Sequence, residues 1–387
     1  LAAGRQKMDI KRAWEQRLNE VSAVFKTCPE LSEGSASFSF QVLRTYFVNS
    51  EGSVVVQNRI ATRVMLMASL KAADGMELPL NRDYFAYTPD DLPDNDRMIA
   101  DARDMIKRLL ALRDAPVADP YTGPAILSGP ASGVFFHEIF GHRLEGHRLK
   151  SGGQTFKKMV GEQVLPVEFQ VYCAPLLKSY ADTDLYGHYV YDDEGVKARR
   201  VDVVKDGILR EFLMSRVPLD GFPHSNGHGR TAGGGDPVSR QSNLVVETTA
   251  PHTEAELRSM LIEEAKKQGK EYGYYFKEVT SGFTLTGEGG SLNSFNVTPL
   301  EVYRIYVDGR PDQLVRGVDL IGTPLSMFSN IVCGGDAPSV FTGECGAESG
   351  WVPVTASSPM ILVNKIETQR RQKSRDLPPI LPAPQNK

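Results

Sequence analysis

The chain has 387 residues, of which 41% are hydrophobic and 24% charged, and its net charge is −4 with an isoelectric point near 6.1. This balance is typical of a globular protein and argues against direct nucleic-acid binding. Every apolar run is shorter than the roughly 18 residues that a membrane-spanning helix needs, so no membrane span is expected. A chain of this length suggests two or perhaps three domains.

The first 120 residues are predicted to form a helix, a β-meander and a second helix. Apolar periodicity indicates helices at 8–25 and 94–112, and alternation indicates strands at 37–43, 46–48, 54–58 and 63–70. The tetrapeptide Asn49-Ser-Glu-Gly52 is a turn signal between two of these strands.

A buried strand at 123–128, a turn at Gly129-Pro130 and a helix over 131–149 are predicted next. They are followed by a polar loop at 152–161, a hairpin of strands 201–204 and 209–214, and a Gly-rich loop at 219–236. Thr253 and Glu256 form a capping-box signature for a helix over 253–268. Further strands extend to Ile366, and a flexible tail is expected over 367–387.

These elements predict an α+β fold of antiparallel, strand-rich sheets with one motif-bearing helix. We expect an N-terminal α/β part over 1–120, a domain with a C-terminal β-rich core over 121–366, and the tail.

The predicted helix at 131–149 carries the hexapeptide His137-Glu-Ile-Phe-Gly-His142. Two imidazoles and an adjacent carboxylate are parts that a zinc hydrolase needs. Residues five apart on a regular helix are rotated by roughly 140°, so the helix is expected to bulge or break between the two histidines. The alternative is a buried helix whose histidines are hydrogen-bonded to core carbonyl groups.

A catalytic zinc site also needs a third protein ligand. His147, His224 and His228 are candidates, although the surroundings of His147 favour a surface position. Cys345 lies between flexible glycines in Gly-Glu-Cys-Gly, and a thiolate binds zinc well. The other cysteines, Cys28, Cys173 and Cys333, are irregularly spaced and are expected to be free buried thiols.

The motif HEIFGHRLEGH at 137–147 resembles the HEAVGHGLEGD of the TldD/PmbA family of zinc metallopeptidases. Further segments resemble that family in the same order between residues 36 and 366. They are NSEG at 49–52, YDDEG at 191–195, PVSRQSN at 237–243, LIGT at 320–323 and CGAESGWVPV at 345–354. Phe140, Arg143 and His147 depart from the family motif, and the family's N-terminal region is partly missing.

The resemblance implies a zinc ion held by His137, His142 and Cys345, with Glu138 as the general base for a water that zinc activates. It implies hydrolysis of peptide bonds, and a homodimer or a heterodimer with a related subunit. It also favours a cytoplasmic, bacterial protein; because the chain begins with Leu1 rather than Met, export stays open.

Four other residues are candidates for supporting roles. Glu145 is predicted to orient His142, with a solvated surface carboxylate as the alternative. Arg240, Asn243 and His228 are predicted to bind substrate, with loop-stabilising hydrogen bonds as the alternative for the first two. A strand-rich wall beside the site would pair with an extended peptide, which would favour unfolded or short peptides as substrates.

Two other functions are weighed against the zinc peptidase. One is a non-catalytic partner or regulatory subunit, because the family's paired subunits include members without the zinc motif. The other is a cysteine hydrolase that uses Cys345 and a histidine, which leaves the hexapeptide without a role.

Overall fold

A computed structural model describes residues 2–150, 156–233, 235–284, 295–322 and 324–371. In these ranges five α-helices are present: α1 Ala2–Ala23, α2 Asn95–Asp114, α3 Gly129–Ile139, α4 Glu254–Lys267 and α5 Pro324–Phe328. The first nine strands are β1 Leu31–Val48, β2 Val54–Lys71, β3 Glu77–Ala86, β4 Tyr121–Leu127, β5 Phe169–Cys173, β6 Ser179–Tyr180, β7 Thr183–Asp184, β8 Val201–Lys205 and β9 Ile208–Leu209. The others are β10 Gly229–Arg230, β11 Val238–Ser239, β12 Asn243–Thr248, β13 Tyr272–Thr284, β14 Phe295–Tyr306, β15 Gln313–Val315, β16 Val318–Gly322, β17 Ile331–Ala347 and β18 Gly350–Arg370.

The N-terminal part is an antiparallel meander in the order β1-β2-β3, covered by α1 and α2. The helices bury apolar residues such as Trp14 and Leu109 against Leu66 and Leu78 of the sheet. The predicted turn after β1 is confirmed, because the side-chain oxygen of Asn49 accepts hydrogen bonds from the backbone of Glu51 and Ser53. The four short strands predicted here are wrong in number, since β1 and β2 each continue through 18 residues.

The C-terminal part is built on an eleven-stranded sheet whose main path runs β15-β14-β13-β4-β18-β12-β5-β8-β9. Most neighbours are antiparallel, and β12–β18 and β13–β4 are parallel pairs. Helix α3 packs across β18, β13 and β17. The predicted strand-rich α+β fold with antiparallel sheets and a motif helix is therefore confirmed.

Several predicted boundaries change. The motif helix ends at Ile139 rather than at 149, and the strand expected at 209–214 is limited to Ile208–Leu209. The capping box is confirmed, because Thr253 and Glu256 exchange hydrogen bonds at the start of α4. Residues 152–155 of the loop expected at 152–161 lie outside the described ranges.

The predicted domain division at 120 and 366 stays a prediction. Strand β18 continues to Arg370, past the expected start of the tail, and residues 372–387 of that tail lie outside the described ranges. Among the described residues, no helix combines the length and apolar character needed to cross a membrane.

Candidate metal centre

The N-terminus of α3 is fixed by its sequence. The Ser128 hydroxyl accepts a hydrogen bond from the Ala131 backbone at 3.3 Å, and Pro130 occupies the first turn, where its missing N–H costs nothing. The helix then buries Phe135 and Phe136 in the core, and its last turn carries His137 and Glu138. These two residues are 8% and 9% exposed.

The α-helix ends at Ile139, between the two histidines, as the spacing predicts. Phe140 terminates it, and Gly141–Leu144 continue as a 3-10 turn. A side chain at Gly141 would lie 1.8 Å from the amide oxygen of the buried Gln241, so the Gln241 side chain would have to move to admit any larger residue in this turn. The break brings the rings of His137 and His142 to 5.0 Å between centroids, at an interplanar angle of 79°.

The three residues that differ from the family motif lie in this turn or next to it. Phe140 packs against Phe156 and Phe328 in the core. The Arg143 guanidinium donates to the carbonyl groups of Glu138 and Ile139, which satisfies acceptors at the C-terminus of α3. His147 is half-buried, 3.6 Å from Glu348.

Cys345 reaches the histidines from the hairpin of β17 and β18. Its sulfur lies 3.3 Å from His142 Nε2. Ligand-type atoms of His137, His142 and Cys345 all lie within 4.8 Å of one another, and the three residues are buried. Of the other third-ligand candidates, His224 is exposed and His228 is fully buried elsewhere.

The donor set fits a zinc ion. Two imidazoles and a thiolate match the ligand types of catalytic zinc sites and leave a position open. His137 Nδ1 is buried without a hydrogen-bond partner among the described residues. Burial raises the pKa of the Cys345 thiol, but His142 and His137 outweigh it and hold that pKa well below its usual range. The thiolate, which is the form that binds metal, is therefore favoured.

Glu138 faces a cavity of about 670 Å³ that the three ligand-type residues also line. Its carboxylate lies 3.9 Å from His142 Nε2. The cavity is also lined by Arg63 and Asp83 of the N-terminal sheet, which form an ion pair, and by the β17 segment before Cys345. The carboxylate is thus beside the candidate ligands and accessible to a molecule in the cavity.

Glu145 is fully buried, which contradicts the surface alternative. It accepts hydrogen bonds from His142 Nδ1 at 3.0 Å and from Arg148 Nε at 2.7 Å. Burial raises its pKa, but the charges of His142, Arg148 and Arg240 outweigh this and hold the pKa well below its usual range. The carboxylate therefore stays ionised and fixes the ring orientation of His142.

The structure does not bring Arg240, Asn243 and His228 to the cavity. Arg240 is fully buried and donates to Ser349 Oγ and to the backbone carbonyl of Cys345.

Asn243 is also fully buried; it donates to the carbonyl groups of Ala174 and Leu177 and accepts from Thr355. Burial lowers the pKa of His228 to about 3, so this ring is neutral. Such burial argues against contact with substrate and favours the loop-stabilising alternative.

Sequence reasoning missed several residues of the cavity wall. Arg63, Asp83, Arg148 and Trp351 line it, although the first two lie in the N-terminal sheet, far from the motif in sequence. Single-sequence patterns carry no signal for such a distant contact. For Trp351 the sequence carries a weak signal, because this residue follows Gly350 and lies six residues after Cys345.

A sequence model of the PmbA/TldA metallopeptidase C-terminal domain matches residues 120–370. The chain belongs to the PmbA/TldD metallopeptidase family. A metalloprotease of Archaeoglobus fulgidus is 28% identical over 61% of this chain and 51% of its own length. A zinc metalloprotease TldD homolog of Saccharolobus solfataricus is 22% identical over 93% of the chain and 77% of its own length. The chain spans 51% to 66% of the length of three archaeal relatives.

Solved structures of the family share the fold. TldE from Thermococcus kodakarensis superposes with a TM-score of 0.64 and 15% identity, covering 91% of this chain and 72% of its own. At this identity the likeness concerns the fold alone.

Proposed function

We propose that this protein is a zinc-dependent peptidase that hydrolyses unfolded or short peptides. The observation that carries the proposal is the buried cluster of His137, His142 and Cys345, with Glu138 beside it in a cavity. Family membership supports the same reaction class, as do relatives named metalloprotease and zinc metalloprotease.

His137, His142 and Cys345 would hold the ion. A bound zinc ion supplies Lewis-acid polarisation and makes water more acidic. The Glu138 carboxylate accepts the proton of the attacking water and delivers it to the leaving amine. Glu145 holds His142 in one orientation through the hydrogen bond at Nδ1. In this proposal these residues supply the ligands and the acid–base group that peptide hydrolysis needs.

The walls of the cavity favour an extended substrate. Among the described residues, β3 pairs only with β2, and β17 pairs with β18 and has one further bridge, from Gly335 to His252, so the β17 edge beside the cavity is unpaired. Residues of both strands, including Asn81, Asp83 and Thr342, line the cavity and the groove that continues from it. An extended peptide can pair its backbone with such edges, whereas a folded protein has few free backbone groups to offer.

Assembly and location belong to the same proposal. A homodimer, or a heterodimer with a related subunit, is supported by the presence of TldE among the structural neighbours. The alternative role is that of a non-catalytic partner in such a pair. A cytoplasmic location stays a prediction.

A cysteine hydrolase is the second candidate reaction. The 3.3 Å separation of Cys345 Sγ from His142 Nε2 resembles the spacing of a thiolate–imidazole nucleophile pair. This candidate leaves His137 and Glu138 without a chemical role, which favours the zinc peptidase.

The test measures bound metal by mass spectrometry and cleavage of an unfolded peptide for matched variants. Glu138→Ala is expected to keep the metal and to lose activity by at least roughly a hundredfold, because it lacks the general base. Cys345→Ala is expected to lose metal and activity. Cys333→Ala changes a buried thiol outside the cluster and should retain both.

The outcomes separate the candidates. Full activity of Glu138→Ala would contradict the zinc mechanism. Activity that survives removal of metal but is lost on alkylation of Cys345 would indicate the cysteine hydrolase. A wild-type protein without metal and without turnover would indicate the non-catalytic subunit.

A further inference from the structure

Trp351 is an exposed aromatic residue in the wall of the cavity that contains Cys345. It is 67% exposed, whereas the other tryptophan of the chain, Trp14, is 3% exposed and stacks on Phe38. An exposed indole beside a candidate active site presents a large π-surface that no described residue covers.

The β17–β18 hairpin fixes the position of this ring. Gly346 and Trp351 are cross-strand partners, and a side chain on Gly346 would lie 2.9 Å from the indole ring. The ring therefore rests against the glycine backbone. Burial alternates along the hairpin: Cys345 and Val352 are turned inward, and Gly346 and Trp351 outward.

Glu344 lies on the same outward face, two residues before Gly346, roughly 7 Å along the strand. Its side chain is 43% exposed, accepts a hydrogen bond from Tyr186 at 3.1 Å and lies 3.7 Å from Arg63. Arg63 lies closer to Asp83 and donates hydrogen bonds to both of its carboxylate oxygens. The charge of Glu344 is thus only partly compensated.

Acidic groups outnumber arginines around the cavity. The carboxylates are Asp83, Glu138, Glu344 and Glu348, and the guanidinium groups are Arg63 and Arg148. Arg148 is paired with Glu348 as well as with Glu145. The zinc ion of the proposed function and the Cys345 thiolate together add one positive charge, so an acidic excess remains and the field at the Trp351 wall favours a cation over an anion.

We infer that Trp351 and Glu344 form a subsite for the lysine or arginine side chain of a peptide substrate. This inference rests on the proposed peptidase function and names a substrate class for it. The cationic head lies over the indole, which attracts cations more strongly than other aromatic rings, and Glu344 neutralises it. An apolar side chain gains only the ring contact, and an acidic one is repelled.

The catalytic test compares peptides that differ at one position only: lysine, arginine, norleucine or glutamate. Norleucine matches the lysine stem but has no charge. Each position near the scissile bond is tested in turn. At one of these positions we expect the wild-type kcat/KM to be roughly tenfold higher for lysine than for norleucine. Trp351→Leu and Glu344→Gln should each lower this ratio severalfold, and Trp351→Phe should retain part of it.

Glu271→Gln is the matched control, because Glu271 is 81% exposed in its side chain and lies outside the cavity lining. It should keep the wild-type ratio. A wild-type enzyme that cleaves norleucine peptides as well as lysine peptides overturns the inference and leaves the proposed function standing. An unchanged ratio in both Trp351→Leu and Glu344→Gln also overturns it.

A binding test works without catalysis. In a Trp14→Phe, Glu138→Gln protein, Trp351 is the single remaining tryptophan, so its emission reports contact with an uncleaved peptide. The lysine peptide should change the emission at a roughly tenfold lower concentration than the norleucine peptide. If the wild-type protein cleaves no peptide but this difference in concentration is observed, the peptidase proposal fails and the subsite is still supported. Equal concentrations for both peptides would overturn the subsite.

Discussion

At the scale of single residues, two candidate ligands from distant segments are joined by one buried network. Glu145 binds His142, and the Arg240 side chain lies 3.6 Å from Glu145 and donates to the backbone carbonyl of Cys345. Both Glu145 and Arg240 are fully buried. Buried charges are costly unless they are paired, so the network makes the two segments mutually dependent.

Replacing Glu145 with glutamine tests this dependence. Glu145→Gln keeps the size of the side chain but removes the charge that orients His142 and balances two arginines. We expect zinc affinity to fall by about 10- to 100-fold. A chelator competition assay measures the dissociation constant.

Glu348→Gln is the control for this prediction, because Glu348 shares Arg148 with Glu145 but lies 54% exposed at the surface. Its zinc affinity should stay close to that of wild type. An unchanged dissociation constant in Glu145→Gln would show that the buried carboxylate has no role in holding the metal.

Residue-scale prediction from the sequence was strongest where a local pattern carried the chemistry. The spacing of His137 and His142 required a break in the helix, and the structure has one. The environment of Arg240 and His228 depends on chain segments that fold over them. The predicted Gly-rich loop at 219–236 suggested an accessible His228, but the structure buries both His228 and Arg240.

At the scale of elements, the close approach of α3 to β18 positions the motif. Gly133 lies one turn before His137, and a side chain there would be 2.7 Å from the backbone carbonyl oxygen of Ala356. The helix can therefore pack on the strand only because residue 133 has no side chain. The sequence pattern predicted a helix here, but the contact with β18 could not be predicted from it.

Gly133→Ala is expected to destabilise the protein. Alanine favours a helix by about 1 kcal/mol over glycine, but overpacking against a backbone oxygen costs about 1–3 kcal/mol. We expect a net loss of roughly 1 kcal/mol in the free energy of unfolding and weaker zinc binding, because α3 must move. Urea denaturation and zinc titration measure the two effects.

Gly235→Ala is the control for this substitution, since a side chain there meets its nearest atom at 3.9 Å. It should leave both quantities unchanged. A stabilised Gly133→Ala protein with wild-type zinc affinity would contradict the packing argument.

At the scale of the whole molecule, the sequence predicted the class of fold but not the order of its strands. Alternating residues indicated strands, and Asn49 marked one hairpin. The central position of β4 and β18 depends on pairs such as Leu127 with Ile361, more than 200 residues apart. Pairing across such a distance is set by the complete sheet, which is why the free edges of β3 and β17 could not be predicted.

The N-terminal and C-terminal parts are linked by a largely buried ion pair, and breaking it tests whether they unfold together. Arg108 of α2 binds Glu278 at 2.8 Å and also binds Glu301, whose side chain is 2% exposed. Arg108→Met leaves Glu301 buried with only a lysine at 3.7 Å as an ionic partner among the described residues. We expect a loss of about 3 kcal/mol in the free energy of unfolding, measured by urea denaturation.

Two further variants separate the buried charge from other effects of this substitution. The double variant Arg108→Met, Glu301→Gln should recover part of the loss, because the uncompensated carboxylate is removed. Arg258→Met breaks a half-exposed pair with Asp312 and should cost less than about 1 kcal/mol. If Arg108→Met lowers the free energy of unfolding no more than Arg258→Met does, the Arg108 ion pair stabilises the protein no more than an exposed ion pair. In that case the N-terminal wall of the cavity is positioned by apolar packing between Leu300 and the helices rather than by this ion pair.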